Sequence, residues 1–163
     1  MNMAKRKDMT LGGIFVIDGG TYGLVSLNGI CRIKNDLDAT GFTAGGAWAI
    51  GGSLKSGEAR IKGTGAVAKD AALTSLNIDG ALNVHGTLSV KEEVFAKGTL
   101  SATGAVKASH IDIEGTLKAS SDVETESIDL RGELNIGGML NADSIRLLFA
   151  GSNTAHEIGG SVI

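Results

Sequence analysis

Gly98-Thr-Leu-Ser-Ala-Thr-Gly-Ala-Val-Lys-Ala-Ser-His-Ile-Asp-Ile-Glu-Gly115 holds one full copy of the unit that decides the fold. Its opening recurs as Gly80-Ala81-Leu82, Gly98-Thr99-Leu100, Gly115-Thr116-Leu117 and Gly132-Glu133-Leu134, evenly spaced except that the first interval is one residue longer than the others. A fixed period of about 17 residues signals one supersecondary unit stacked on copies of itself. Steps of the same length toward the N-terminus reach Gly63, Gly46, Gly29 and Gly12, so eight successive units share one glycine phase.

The side chains between the glycines agree with that phase. The second residue after each glycine reads Ile14, Cys31, Trp48, Gly65, Leu82, Leu100, Leu117, Leu134, and the fourth reads Val16, Ile33, Ile50, Val67, Val84, Ala102, Ala119, Ile136. A second pair of apolar or small residues falls eight and ten positions on, as in Leu88/Val90 and Val106/Ala108. A third falls at thirteen and fifteen, as in Ile111/Ile113 and Ile128/Leu130; the unit from Gly80 shifts it by one residue, to Val94/Ala96. Alternation at i, i+2 is the period of a half-buried strand, not of a helix. Three such segments per unit, separated by corners, predict a triangular coil, and coils stacked as parallel in-register strands about 4.8 Å apart predict an all-β, single-domain parallel β-helix. Further glycines six residues on, at Gly52, Gly86, Gly104 and Gly138, suit corners that need a positive φ or a close backbone approach. The chain contains no proline, which would delete a ladder donor.

In 163 residues this leaves a tail over 1–11, expected to be flexible, a β-helix over 12–149, and a C-terminal tail or flap over 150–163. A formal charge of −3 and a pI near 5.6 give no basic field for nucleic acid. The single cysteine, Cys31, excludes an internal disulfide and falls on an inward phase, which predicts a reduced buried thiol and an intracellular protein. No apolar run reaches the length of a transmembrane helix, and Leu11 to Val16 is too short for a signal segment.

Departures from regularity mark the ends. Lys5, Arg6 and Lys7 make a short basic tail whose expected contact, if it has one, is an anionic membrane surface. Tyr22 falls on an inward phase and is expected to close the N-terminal face, while Trp48 is expected to pack inward with room made by Gly45, Gly46, Gly51 and Gly52. In the centre, Lys62, Asp79, Lys97, Glu114 and Arg131 form an outward column of alternating sign, suited to pairing between coils. After Leu147 the register fails, and Leu148, Phe149 and Ala150 add apolar bulk where a corner is due.

The residues that carry chemistry do not converge on the coil map. His85 and His110 face outward on different faces, and His156 lies in the C-terminal tail. Asp36, Asp38, Asp70, Asp122 and Glu124 share an outward face with Ser53, Lys55, Thr87 and Lys107, as a solvated face would. No phosphate loop, metal-ligand spacing or nucleophile elbow occurs, so the expectation is a non-enzyme with no catalytic residue, cofactor, metal or small-molecule substrate. The alternative is a solenoid enzyme of the hexapeptide acyltransferase type, whose apolar signal repeats at every sixth position, unlike the spacing here. A ladder of threonines at Thr64, Thr99 and Thr116 is interrupted by Ile30, Ala47, Ala81 and Glu133, against an ice-binding face.

That leaves the two ends, where a stack of parallel strands terminates in unpaired backbone groups around an apolar cross-section. Ile14, Phe15 and Val16 lie near one end and Leu147, Leu148 and Phe149 near the other, which predicts end-to-end polymerisation of the chain with itself. The short, proline-free coils with a Gly-x-Leu opening, flanked by short tails, resemble the bactofilins over Gly19 to Leu147, as does Gly-Gly-Thr-Tyr at Gly19 to Tyr22. The resemblance implies a right-handed β-helix that polymerises without nucleotide into non-polar filaments. It also implies a bacterial cytoskeletal scaffold for cell shape, appendages or motility, cytoplasmic and associated with the inner face of the cell membrane.

Overall fold

The alternating apolar residues of each coil form strands because every inward side chain lies above its counterpart in the coil before. In the computed structural model, which describes residues 6–149 and 157–158, Gly98 faces Gly115, Leu100 faces Leu117 and Ala102 faces Ala119. The strands are β1 (Met9–Ile17), β2 (Gly20–Ile33), β3 (Leu37–Ile50), β4 (Leu54–Val67), β5 (Ala71–Val84), β6 (Leu88–Val90), β7 (Glu93–Ala102), β8 (Val106–Ala119), β9 (Val123–Ile136), β10 (Leu140–Phe149) and β11 (Glu157–Ile158). All pair in parallel within one sheet, whose path runs from β1 to β10, with β7 joining β5 to β8 and β11 resting on β9. The protein is an all-β solenoid of about eight coils around a single apolar core. No helix among the described residues is long and apolar enough to cross a membrane.

The ladder is more continuous than three short segments per coil. β3 carries all three inward pairs, Leu37/Ala39, Phe42/Ala44 and Trp48/Ile50, and its regular pairing passes through two bends before giving way at residues 51–53. There the Gly51 N–H and the Gly52 and Ser53 carbonyls still bond neighbouring coils, but the Ser53 N–H turns to a side chain. One bend in each coil is made by the coil glycine. Gly29, Gly46, Gly63, Gly80, Gly98, Gly115 and Gly132 all have φ between 83° and 139°, which turns the chain while its N–H and C=O stay aimed along the stack. A Cβ at Gly98 would meet the carbonyl oxygen of Gly80, and each later glycine stands in the same relation to the one before it. The glycines six residues further on work differently. Gly86 has no positive φ, but a Cβ there would lie 2.8 Å from the backbone of Lys69.

Two coils depart from the common length. At the N-terminus the glycine that joins the column is Gly13, not Gly12: Gly13 faces Gly29, Phe15 faces Cys31 and Ile17 faces Ile33. The missing residue is in the next corner, where Asp18-Gly19 spans what Lys34-Asn35-Asp36 spans one coil later, and where Gly19 and Gly20 also take positive φ. Phe15 and Ile17 therefore take the inward phase, and Ile14 and Val16 turn outward. The extra residue of the longer coil sits at Lys91-Glu92, between β6 and β7, where the Glu92 carbonyl accepts from the N–H groups of both Ser109 (3.1 Å) and His110 (3.0 Å). This is a bulge that leaves the ladder intact on both sides.

Trp48 is 4% exposed, but the space for its ring comes from Gly65, the residue facing it in the next coil, and not from its flanking glycines. A Cβ at Gly65 would enter the indole ring, and Phe42 meets that ring edge-on with centroids 5.0 Å apart. Tyr22 is half-buried against the core near the N-terminal end, its hydroxyl 3.4 Å from the Gly19 carbonyl it donates to. Cys31 is buried and free, and burial pushes its thiol above the ordinary value. Thr125, on the inward phase, bonds the nearby backbone: its Oγ1 lies 2.9 Å from the Ser127 carbonyl and 3.0 Å from that of Ser109, which share its single proton.

Gly98→Ala combines a positive φ with a backbone clash and is expected to cost about 2 kcal/mol or more. Gly12→Ala, where a Cβ would only touch the Asn28 carbonyl oxygen at 3.8 Å and φ is not positive, should stay within about 0.5 kcal/mol of the parent. Thermal and denaturant unfolding of the two variants compares them. Cys31 should resist alkylation in the folded protein and react once denaturant is added, because reaction needs an accessible thiolate. Mass spectrometry before and after unfolding reads the difference.

Candidate functional site

Among the described residues, each end of the strand path is an open edge. β1 pairs only with β2, and β10 pairs only with β9, so the outer side of each presents backbone N–H and C=O groups without a strand partner among the described residues. Apolar side chains crowd both edges. At the N-terminal end Met9, Leu11 and Ile17 are partly buried against the core and Phe15 is 41% exposed. At the C-terminal end Ile145 is 36% exposed and Leu148 48%, while Leu147 and Ala142 are partly covered. β11 covers a short part of the last coil by pairing with Asn135 and Ile136. The side chain of Phe149 lies outside the described residues, although its backbone continues β10 opposite Gly132.

The residues expected at the ends thus divide. Phe15 and Leu147 take inward phases at the two terminal coils, where an end contact needs them. Ile14 and Val16 do not point along the axis. They face sideways from β1, 79% and 59% exposed, because the first coil is one residue short and its phase is set by Gly13. Leu148 is opposite Arg131 on an outward position at the C-terminal rim.

Of the basic residues considered for a membrane surface, Lys5 lies outside the described residues. Arg6 turns onto the body of the protein, its guanidinium 2.9 Å from Asp38. The Lys7 carbonyl accepts from the Gly23 N–H at 2.9 Å, and Asp8 Oδ1 accepts from the Leu24 N–H at 2.8 Å. Residues 6–8 therefore follow the solenoid, and strand pairing begins at Met9, ahead of the expected boundary at Gly12.

The acidic face has a structural use that residue type alone did not reveal. Asp36 Oδ1 accepts from the Ser53 N–H (2.7 Å), Asp70 from Thr87 (2.8 Å) and Asp122 from Met139 (2.8 Å). Each carboxylate caps an orphan donor in the corner one coil later, where the ladder is broken. The signal in the sequence is an Asp followed, one residue short of a full coil later, by glycine at Gly52, Gly86 and Gly138, since only a glycine leaves room for that carboxylate. In the column of alternating charge the register places Lys62, Asp79, Lys97, Glu114 and Arg131 in sequence, and Arg131 and Glu114 close to 3.8 Å. At this exposure the pair contributes little.

A groove of about 930 Å³ runs lengthwise along the bend that lacks a positive-φ glycine, from Arg6 and Asp38 to Asn141 and Asp143. Lys55, Lys91 and Lys107 line its middle, and Glu124 and Glu126 its C-terminal part. At its border, His110 Nδ1 lies 2.7 Å from Ser127 Oγ, with Glu93 in register on the other side of His110. The contact is exposed to water, and the neighbouring N–H groups of Ser109 and His110 are both held by Glu92, so no backbone donor there faces a developing oxyanion. His85 stands apart on an exposed corner. No group of three His, Cys, Asp or Glu residues able to hold a metal ion is found among the described residues.

The chain matches no protein family, no curated protein and no solved structure.

Asp70→Ala should lower stability by about 1 kcal/mol through the lost cap on Thr87, whereas Asp79→Ala in the exposed charge column should change it by less than about 0.5 kcal/mol. Chemical denaturation of the two variants measures the difference.

Proposed function

We propose that this protein is a structural scaffold that assembles end to end, without nucleotide, into filaments. The observation that carries the reading is the pair of open parallel strand edges on β1 and β10, each bordered by incompletely buried apolar side chains. Joining two such edges satisfies backbone donors and acceptors and removes Phe15, Ile145 and Leu147 from water in the same step. Ladder hydrogen bonds and apolar burial supply the association free energy, so nothing in the scheme calls for a phosphate cleavage. The resemblance of the repeat to the bactofilins supports the same reading and extends it to a bacterial cytoskeletal role in the cytoplasm, in cell shape, motility or the placement of envelope-associated proteins. The regular coils between the ends act as a stiff spacer.

Electron microscopy of the purified protein without nucleotide should show filaments with an axial repeat set by the solenoid length. A discrete species at high concentration under low and high salt would overturn the reading. Phe15→Asp and Ile145→Glu are each expected to shorten filaments while circular dichroism stays β-rich. Parent-like polymers in both variants would show that the contacts lie elsewhere.

A further inference from the structure

Ile50-Gly51-Gly52-Ser53-Leu54 and Ile136-Gly137-Gly138-Met139-Leu140 make the same corner in two different coils. In both, the first glycine N–H donates to a carbonyl of the coil before, Gly51 to Ile33 at 2.7 Å and Gly137 to Ala119 at 2.8 Å. In both, the closing leucine turns inward and is buried. The chain writes this corner a third time near its C-terminus, as Ile158-Gly159-Gly160-Ser161-Val162. β11 fixes the phase of that copy, because Glu157 pairs with Asn135 and Ile158 with Ile136. Residues 159–163 lie outside the described structure. Carrying the register of β11 forward sets Gly159 and Gly160 opposite Gly137 and Gly138, and Val162 opposite Leu140. A second observation points to the same place. Leu140 is 0% exposed although no described strand pairs with the outer side of β10, whereas Ile145, on the next side of the same coil, is 36% exposed. Leu140 has a cover that Ile145 lacks.

We propose that residues 157–163 begin a ninth coil that caps the C-terminal end of their own chain, and that an incoming subunit must displace this cap to reach β10; the displacement rests on the end-to-end reading. The capping segment and a neighbouring subunit offer a parallel strand to the same edge, so they exclude each other. Tethering favours the cap at low protein concentration, since a short linker gives an effective concentration on the order of mM.

The cap is held less firmly than a coil of the body. β11 contributes two residues to the ladder. In the last coil Met139 takes the phase at which Asp36, Asp70 and Asp122 accept a backbone N–H one coil on, so no carboxylate stands ready for Ser161. Gly160, in the phase of Gly138, would leave the room that such a carboxylate needs. Ile145 and Leu147 remain for the first contact of an arriving end.

Three full-length variants test the cap. Ile158→Asp puts a carboxylate on the inward phase above Ile136 and should release it, Met139→Asp supplies the missing acceptor and should tighten it, and the third combines both changes. Hydrogen–deuterium exchange of the dilute, unassembled protein should be slower over 157–163 in the parent than in Ile158→Asp by about tenfold or more, and slower still in Met139→Asp. In pelleting assays the critical concentration should fall by about threefold or more in Ile158→Asp and rise in Met139→Asp, and the double variant should behave as Ile158→Asp does. Circular dichroism checks the fold of each. Exchange as fast in the parent as in Ile158→Asp overturns the ninth coil. Slow exchange in the parent with an unchanged or raised critical concentration in Ile158→Asp overturns the competition for the edge. A rise in Met139→Asp that persists in the double variant comes from charge at the end and counts against the competition as well. If neither parent nor variants form filaments, the end-to-end reading and the competition fall together, while the exchange measurement still decides the ninth coil.

Discussion

The spacing between coils rests on a column of glycines packed backbone to backbone. At Gly80, Gly98 and Gly115 the site a Cβ would fill is occupied by the carbonyl oxygen of the glycine one coil below, and φ lies in the region that L side chains rarely adopt. Strain and contact exclude side chains together. Because the column bends the chain without breaking its hydrogen bonding, each coil can be a ladder of up to 14 residues interrupted only at one corner. Every inward side chain then finds its neighbour at strand spacing, and the core follows from that spacing rather than from any special residue.

The same constraint governs how irregular coils are absorbed. A coil may lose or gain a residue provided that the glycine and the inward pairs stay in column. The first coil drops its residue at Asp18-Gly19, and the fifth adds one at Lys91-Glu92. Both changes fall at bends, where an altered backbone path does not carry a side chain from the core to the surface. Within a strand a one-residue change would invert every following side chain. At the corner that does break the ladder, Asp36, Asp70 and Asp122 replace the missing backbone acceptor.

Body and surface are thereby separated. The body is a repetitive ladder with strong local cooperation, while the surfaces open to partners are the edges of β1 and β10 and the side faces. Surface chemistry on those faces changes along the axis, from Ile14 and Ile30 near one end to Lys118 and Glu133 near the other. The two ends and the two halves of a face are therefore not equivalent, although the fold beneath them is uniform.

By itself the sequence determined the coil, its period and the inward pairs, because a ladder with a period of two repeated at a fixed length leaves few ways to bury Leu100, Val106 and Ile111 together. It also located the surplus residue of the fifth coil, since the shift from Leu76/Ile78 to Val94/Ala96 is visible as a change of phase. Only the tertiary structure decided that Gly13 rather than Gly12 joins the column, because adjacent glycines look alike until one carbonyl must pack beneath one of them. That single choice moved Ile14 and Val16 from the end of the solenoid to its side. The space for Trp48, the capping by the aspartates and the pairing of Arg6 with Asp38 were likewise decided between coils, by residues distant in the chain whose contact depends on register.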